Sequence, residues 1–95
     1  MCWKIKTKDG KFHKVKNVVM DASPNEEESF YTVTFQTNIE NFSIFSNPDT
    51  DIQGIQAFGI FGKPKTRLLF RDDEQIPIFS ITKDKVTVIF KLVEF

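Results

Sequence analysis

Residues 2–8 alternate, with Trp3, Ile5 and Thr7 in one phase and Lys4, Lys6 and Lys8 in the other. Successive side chains of a strand point to opposite faces, so this run predicts a half-buried strand with a cationic outer face. Asp9-Gly10 follows and predicts a tight hairpin of type I′, a turn that needs positive φ at both central residues. Lys11–Met20 should pair back. Its phase breaks between Phe12 and the pair Val15 and Val19, which predicts a bulge near His13-Lys14.

Asp21–Ser29 is polar, contains Pro24 and three successive glutamates, and reads as an exposed loop. Ser29–Thr37, with Tyr31, Val33 and Phe35 in phase, predicts a strand, and Glu40–Ser46, with Phe42 and Ile44 in phase, predicts another. Asn47–Gly62 admits two readings. In one, Asn47 caps a short helix around 48–58 that buries Ile52, Ile55 and Phe58 and stops at Gly59. Gly54 weighs against it, because a helical glycine costs about 1 kcal/mol relative to alanine. In the other, a turn at Asn47–Asp51 leads into a strand through Ala57–Phe61. Thr66–Arg71 and Ile76–Thr82 read as strands, the second lying at a sheet edge or beginning at Pro77, which has no N–H to donate. Lys85–Phe95 is apolar in both phases, as in a central strand covered on both faces. The expected fold is a mainly β single domain over 1–95, a small antiparallel β-barrel or sandwich of seven to eight strands.

Composition narrows the classes. With 40% hydrophobic residues and 13 basic against 13 acidic side chains, the chain is neither a disordered tail nor a generally basic coat protein. No apolar run approaches the ~20 residues of a membrane span, the start lacks the apolar core of a secretory signal, and no membrane partner is expected. The single cysteine, Cys2, cannot close an intramolecular disulfide, which predicts a reducing, cytoplasmic setting. Phe, Tyr, Met, Ile, Asn and Lys supply 40 residues and Gly, Ala, Arg and Pro only 12, the signature of an AT-rich genome such as that of a low-GC bacterium, a phage or a plasmid.

Residues able to carry catalysis or hold a metal are few. One histidine and one cysteine cannot build a structural zinc site, and no metal or other cofactor is expected. Asn47–Asp51 alternates oxygen ligands but lacks the closing glutamate of a calcium loop. A Cys2–His13 pair across the first hairpin has no third group to orient it. The acids of Glu26–Glu28 and Asp72–Glu74 are adjacent on loops and face solvent, and the glycines at 54 and 59 are not followed by the Lys-Ser/Thr of a phosphate loop. These absences argue against an enzyme.

Charge and phenylalanine content carry the functional expectation. Residues 1–16 sum to +5, 17–62 to −7, 63–71 to +4, 72–74 to −3 and 75–95 to +1. Lysines on a first hairpin guard an edge against aggregation, follow a phosphate backbone, or meet the acidic 17–53 region of a second copy. The chain holds 11 phenylalanines, too many for one sheet face, and Phe30, Phe45, Phe79 and Phe95 are the candidates for an exposed interface patch. The primary expectation is a small non-enzymatic β-sheet protein acting through protein–protein contacts, including homo-oligomers, as a phage or mobile-element inhibitor or assembly part. One alternative is a nucleic-acid-binding module that uses Lys4, Lys6, Lys8, Lys14 and Lys16 with Trp3 and His13. The other is a small-ligand trap in a barrel mouth.

Overall fold

The computed structural model describes residues 2–22, 31–42 and 51–93. Eight strands and one helical turn are described: β1 (Cys2–Thr7), β2 (Phe12–Lys14), β3 (Lys16–Ala22), β4 (Tyr31–Asn38), α1 (Ile39–Phe42), β5 (Ile52–Phe58), β6 (Leu69–Phe70), β7 (Ile78–Thr82) and β8 (Lys85–Leu92). They form two antiparallel four-stranded sheets, ordered β2-β1-β5-β6 and β3-β4-β8-β7. The sheets are not closed into a barrel, and of the two expected architectures the sandwich is the one observed.

Alternation decides the core. Ile5 and Thr7 of β1, Val33, Phe35 and Thr37 of β4, and Val86, Val88, Phe90 and Leu92 of β8 are all buried. Their neighbours in the other phase stay accessible, so each sheet turns one face to its partner sheet and one to solvent. Ile52, Ile55 and Ala57 of β5 complete the buried set from the first sheet. β8 lies between β4 and β7, as expected of a central strand. The expectation that both its faces are covered does not hold, for in its outer phase Lys85 is exposed and Thr87, Ile89 and Lys91 are only half-buried.

Two corners link the sheets. The chain passes from β2 to β3 through buried Val15 and changes sheets there, so only Phe12–Lys14 of the predicted return strand pairs with β1, and the bulge expected near His13-Lys14 is absent, the β1–β2 register running unbroken through both residues. The register irregularity falls between Lys16 and Val19, with Asn17 at positive φ (54°). At the opposite corner Arg71 forms a single bridge to Leu92, and the amides of Asp72 and Val93 donate to the carbonyls of Lys91 and Phe70. Arg71 is buried. Its Nε donates to the Ile52 carbonyl at 2.7 Å and its Nη1 to the Gln75 carbonyl at 2.8 Å, while Asp73 approaches Nη2 at 3.6 Å. One side chain thus ties β5 to the turn after β6.

Several sequence expectations are corrected. Ile52–Phe58 is a strand, not the helix read around 48–58, and the strand placed at Ala57–Phe61 begins and ends earlier. Glu40–Phe42, read as the start of a strand, belongs to the helical turn α1, whose first amide, that of Ile39, donates to the Asp84 carbonyl. Thr66–Arg71 contributes strand only at Leu69–Phe70. β7 lies at a sheet edge, as Pro77 predicted, and begins just after that proline. The rest of the predicted loop 23–29, the strand residues 43–46 and the turn 47–50 lie outside the described residues.

Candidate binding surface

The β1–β2 hairpin carries most of the sequence-predicted site. Its register pairs Lys4 with Lys14, Ile5 with His13 and Lys6 with Phe12. Lys4, Lys6, Lys14 and Phe12 therefore share the outer face of the first sheet. Next to them, β5 sets Phe58 opposite Cys2 and Gln56 opposite Lys4. Phe12 and Phe58 meet edge to face with ring centroids 5.4 Å apart. The Lys4 ammonium lies 5.2 Å from the centre of the Phe58 ring and that of Lys6 lies 5.7 Å from the Phe12 ring. Two aromatic rings are thus each capped by a cation, an arrangement worth about 0.5–1 kcal/mol per pair at exposed sites.

The remaining candidates sit elsewhere. Trp3 points inward and packs against the core. His13 shares the inner phase with Ile5, and its Nε2 lies 3.3 Å from the Thr7 hydroxyl. Cys2 is in the outer phase, so Cys2 and His13 occupy opposite faces and form no pair. Lys16 opens β3 in the second sheet, opposite Gln36. Lys8 is in the turn, its amide donating to the Asp51 carbonyl. Phe79 is half-buried and packs edge to face on Phe42 at 5.1 Å. Phe30, Phe45 and Phe95 lie outside the described residues.

The first turn is not the expected type I′. The Thr7 amide donates to the Lys11 carbonyl and the Gly10 amide to the Thr7 carbonyl, and of the turn residues only Gly10 has positive φ (88°). This is the three-residue loop in which a left-handed glycine ends a type I turn. Asp9 selects it. Its carboxylate accepts hydrogen bonds from the Thr7 hydroxyl and from the Lys11 amide, and these two bonds hold it below the usual carboxylate pKa.

A second turn repeats that hydrogen-bond pattern after β5. The Gly59 amide donates to the Lys63 carbonyl and the Gly62 amide to the Gly59 carbonyl, with Gly62 at φ 75°. Downstream, the Lys65 amide donates to the Ala57 carbonyl, and the Ala57 amide donates to the Thr66 hydroxyl. The central residues differ in kind. Where the first turn has Lys8 and Asp9, the second has Ile60 and Phe61, which are 90% and 89% exposed. Sequence reasoning missed this tip because an apolar pair after Ala57 looks like the continuation of a buried strand. The flanking glycines, spaced as Gly-Ile-Phe-Gly, were the available signal.

The two basic segments of the sequence also converge. The strands of 1–14 and the segment 63–71 flank β5 on opposite sides of one sheet. Lys63, Lys65 and Arg67 thus lie in the segment that leads away from the tip. Acidic 17–62 contributes Asp21 to β3, Glu40 to α1 and Asp51 beside β5; its other acids lie outside the described residues.

No family model matches the chain, and neither a curated protein nor a solved structure matches it. Among the described residues no three His, Cys, Asp or Glu side chains are grouped to hold a metal, and no helix is long and apolar enough to cross a membrane. Surface depressions flank the β7–β8 turn, lined by Gln36, Lys85, Thr87 and their neighbours; neither His13 nor an acidic pair lines them.

Proposed function

We propose that this chain is a non-enzymatic binding protein that docks on a protein partner through the Ile60–Phe61 tip, steadied by the lysines around it. One observation carries the reading. The same hydrogen-bonded turn is built at Thr7–Lys11 with Lys8 and Asp9 at its centre, so turn geometry does not require apolar residues there. Holding an isoleucine and a phenylalanine almost wholly in water forgoes about 1.5–3 kcal/mol of burial for each. Such side chains at the tip of a hydrogen-bonded turn are suited to fill a pocket on another molecule, where a few buried anchors supply most of the affinity. The flanking Lys63 and Lys65 suit a pocket with an acidic rim.

The nucleic-acid alternative draws on the lysines of β1 and β2. Against it, base stacking needs open aromatic faces, and here Phe12 and Phe58 are engaged with each other and with Lys4 and Lys6 while Trp3 is turned inward. An inhibitor or assembly role in a phage or mobile element fits a small tip-docking protein and stays part of the proposal, as does a cytoplasmic setting.

The test transplants the first turn into the second. The double variant Ile60→Lys/Phe61→Asp keeps the turn and removes both anchors. Wild type and variant are used as baits in nuclease-treated lysate. One protein retained by wild type and released by the variant, at equal melting temperature, is expected. Equal capture by both baits, or capture abolished by nuclease, refutes the docking assignment.

A further inference from the structure

The four sheet edges are not protected alike. An edge strand exposes unpaired N–H and C=O groups and is usually blunted by shortness, lysines or a bulge. β2 has three residues, ends on Lys14 and follows Lys11; β6 has two residues. β3 carries Lys16 and Asp21 and is broken by the irregularity at Asn17. β7 has five residues, no lysine and no bulge, and its one blunting device, Pro77, stands just before the strand. The run Ile76–Thr82 contains no charged residue, and Ile78 and Ile81 are 64% and 57% exposed. Among the described residues, β7 has β8 on one side and no strand on the other.

The β7–β8 ladder shows which groups are unpaired. Thr82 pairs with Lys85 around a two-residue turn, with Lys83 at φ 55°. The residues that flank such a turn exchange both hydrogen bonds, and bonded and non-bonded pairs then alternate. Thr82, Ser80 and Ile78 therefore aim their backbone groups at β8. Phe79 and Ile81 aim theirs outward.

We infer that β7 pairs antiparallel with β7 of a second copy of this chain, joining the two second sheets into one eight-stranded sheet across a twofold axis. The register follows from the strand itself. Opposing Phe79 to Ile81 of the second copy, with Ser80 facing Ser80 on the axis, uses both outward residues of each strand and makes four backbone hydrogen bonds. A slip toward the N-terminus brings in Pro77, which has no N–H. A slip toward the C-terminus brings in Lys83, whose positive φ takes it out of the strand.

Side chains make the same match. Phe79 and Ile81 share the inner phase, opposite Val88 and Val86, and Ile81 is exposed, with no strand beyond it among the described residues. In the paired arrangement each Ile81 meets a Phe79, an aromatic against β-branched contact of the kind that stabilises neighbouring strands. On the outer face Ile78 meets Thr82. No like charges meet within the paired residues, which favours a second copy over a partner chosen by charge. The Ile60–Phe61 tip belongs to the other sheet, so this pairing leaves it available and does not depend on its role.

Sedimentation of the wild-type chain over a series reaching ~1 mM is expected to show a monomer–dimer equilibrium. Ile81→Pro removes an outward N–H together with the isoleucine side chain that meets Phe79, leaves the bonds to β8 in place, and is expected to abolish the dimer. Ile81→Lys, which keeps the backbone donor, tests the same edge if the proline variant fails to fold. It removes both Phe79–Ile81 contacts and weakens association about tenfold or more. Ser80→Cys in a Cys2→Ser background forms a disulfide dimer on mild oxidation, since directly opposed non-hydrogen-bonded residues have Cα atoms about 4.5 Å apart. Thr82→Cys in the same background does not. A chain that stays monomeric throughout the series overturns the pairing, as does a folded Ile81 variant that dimerises as tightly as wild type or a cysteine that cross-links at 82 and not at 80.

Discussion

Replacing Arg71 with methionine tests whether a single buried guanidinium fastens the corner between β5 and the turn after β6. Methionine keeps an unbranched apolar stem and removes the donors. The Nε bond to the Ile52 carbonyl is buried, and the Nη1 bond to the Gln75 carbonyl is partly buried. Hydrogen bonds from a charged donor contribute roughly 1.5–3 kcal/mol each. The contact with Asp73 adds little, because it spans 3.6 Å and the Asp73 side chain is 77% exposed. Set against this, the variant no longer desolvates a guanidinium. The expected net loss is about 2–3 kcal/mol, a large part of the 5–15 kcal/mol that holds a typical domain together. In a chain of this length that lowers Tm by about 10–20 °C. The assay is urea unfolding followed by the fluorescence of Trp3, the only tryptophan, which is half-buried against the core. The midpoint should fall with the slope unchanged. Asp73→Asn, which removes only the outer contact, should stay within ~0.5 kcal/mol of wild type. An Arg71→Met midpoint equal to wild type would mean that the Ile52 carbonyl needs no partner from this side chain and that the guanidinium does not fasten the corner.

Other substitutions probe the remaining structural claims. Thr37 is buried and its hydroxyl has no hydrogen-bond partner among the described residues, so the isosteric Thr37→Val should raise stability by about 1 kcal/mol in the same urea assay; a loss of stability would show that the hydroxyl is bonded. A Cβ at Gly54 would lie 2.2 Å from the Leu69 carbonyl oxygen, so Gly54→Ala must push β6 away and should cost about 1–3 kcal/mol, read as a lower unfolding midpoint. Asp9 is held below its ordinary value of 3.8, chiefly by the Thr7 hydroxyl and then by the Lys11 amide. Its contribution to the first turn is therefore present above the unfolded pKa and fades as pH falls through the lower folded value. An NMR titration of the Lys11 amide should show a midpoint below 3.8 that vanishes in Asp9→Asn; a midpoint above 3.8 contradicts the bonding.

What was legible in the sequence was alternation. The phases of β1, β4 and β8 and the edge position marked by Pro77 follow from residue pattern alone, because period two is imposed by the strand and not by its neighbours. β5 was obscured for a physical reason. The register shift opposite Lys6 and Thr7 makes Gln53 an extra residue, so Ile52 and Ile55 fall on the same inner face three residues apart. That spacing imitates a helix, and Gly54, which reads as a breaker, is present because the Leu69 carbonyl packs against it. The candidate site was half legible. The lysine face of β1 was visible as a pattern, whereas the tip depends on a turn whose glycines set the geometry and whose apolar centre resembles core.

The most direct measurement places a photo-activatable phenylalanine analogue at position 61 and, in a separate protein, at position 14 on the lysine face. Each is irradiated in lysate with and without nuclease. The docking account predicts that position 61 cross-links to one protein species, unaffected by nuclease, while position 14 gives weaker cross-links to the same species. Cross-linking confined to position 14 and removed by nuclease would contradict it and move the working surface to the outer face of β1 and β2.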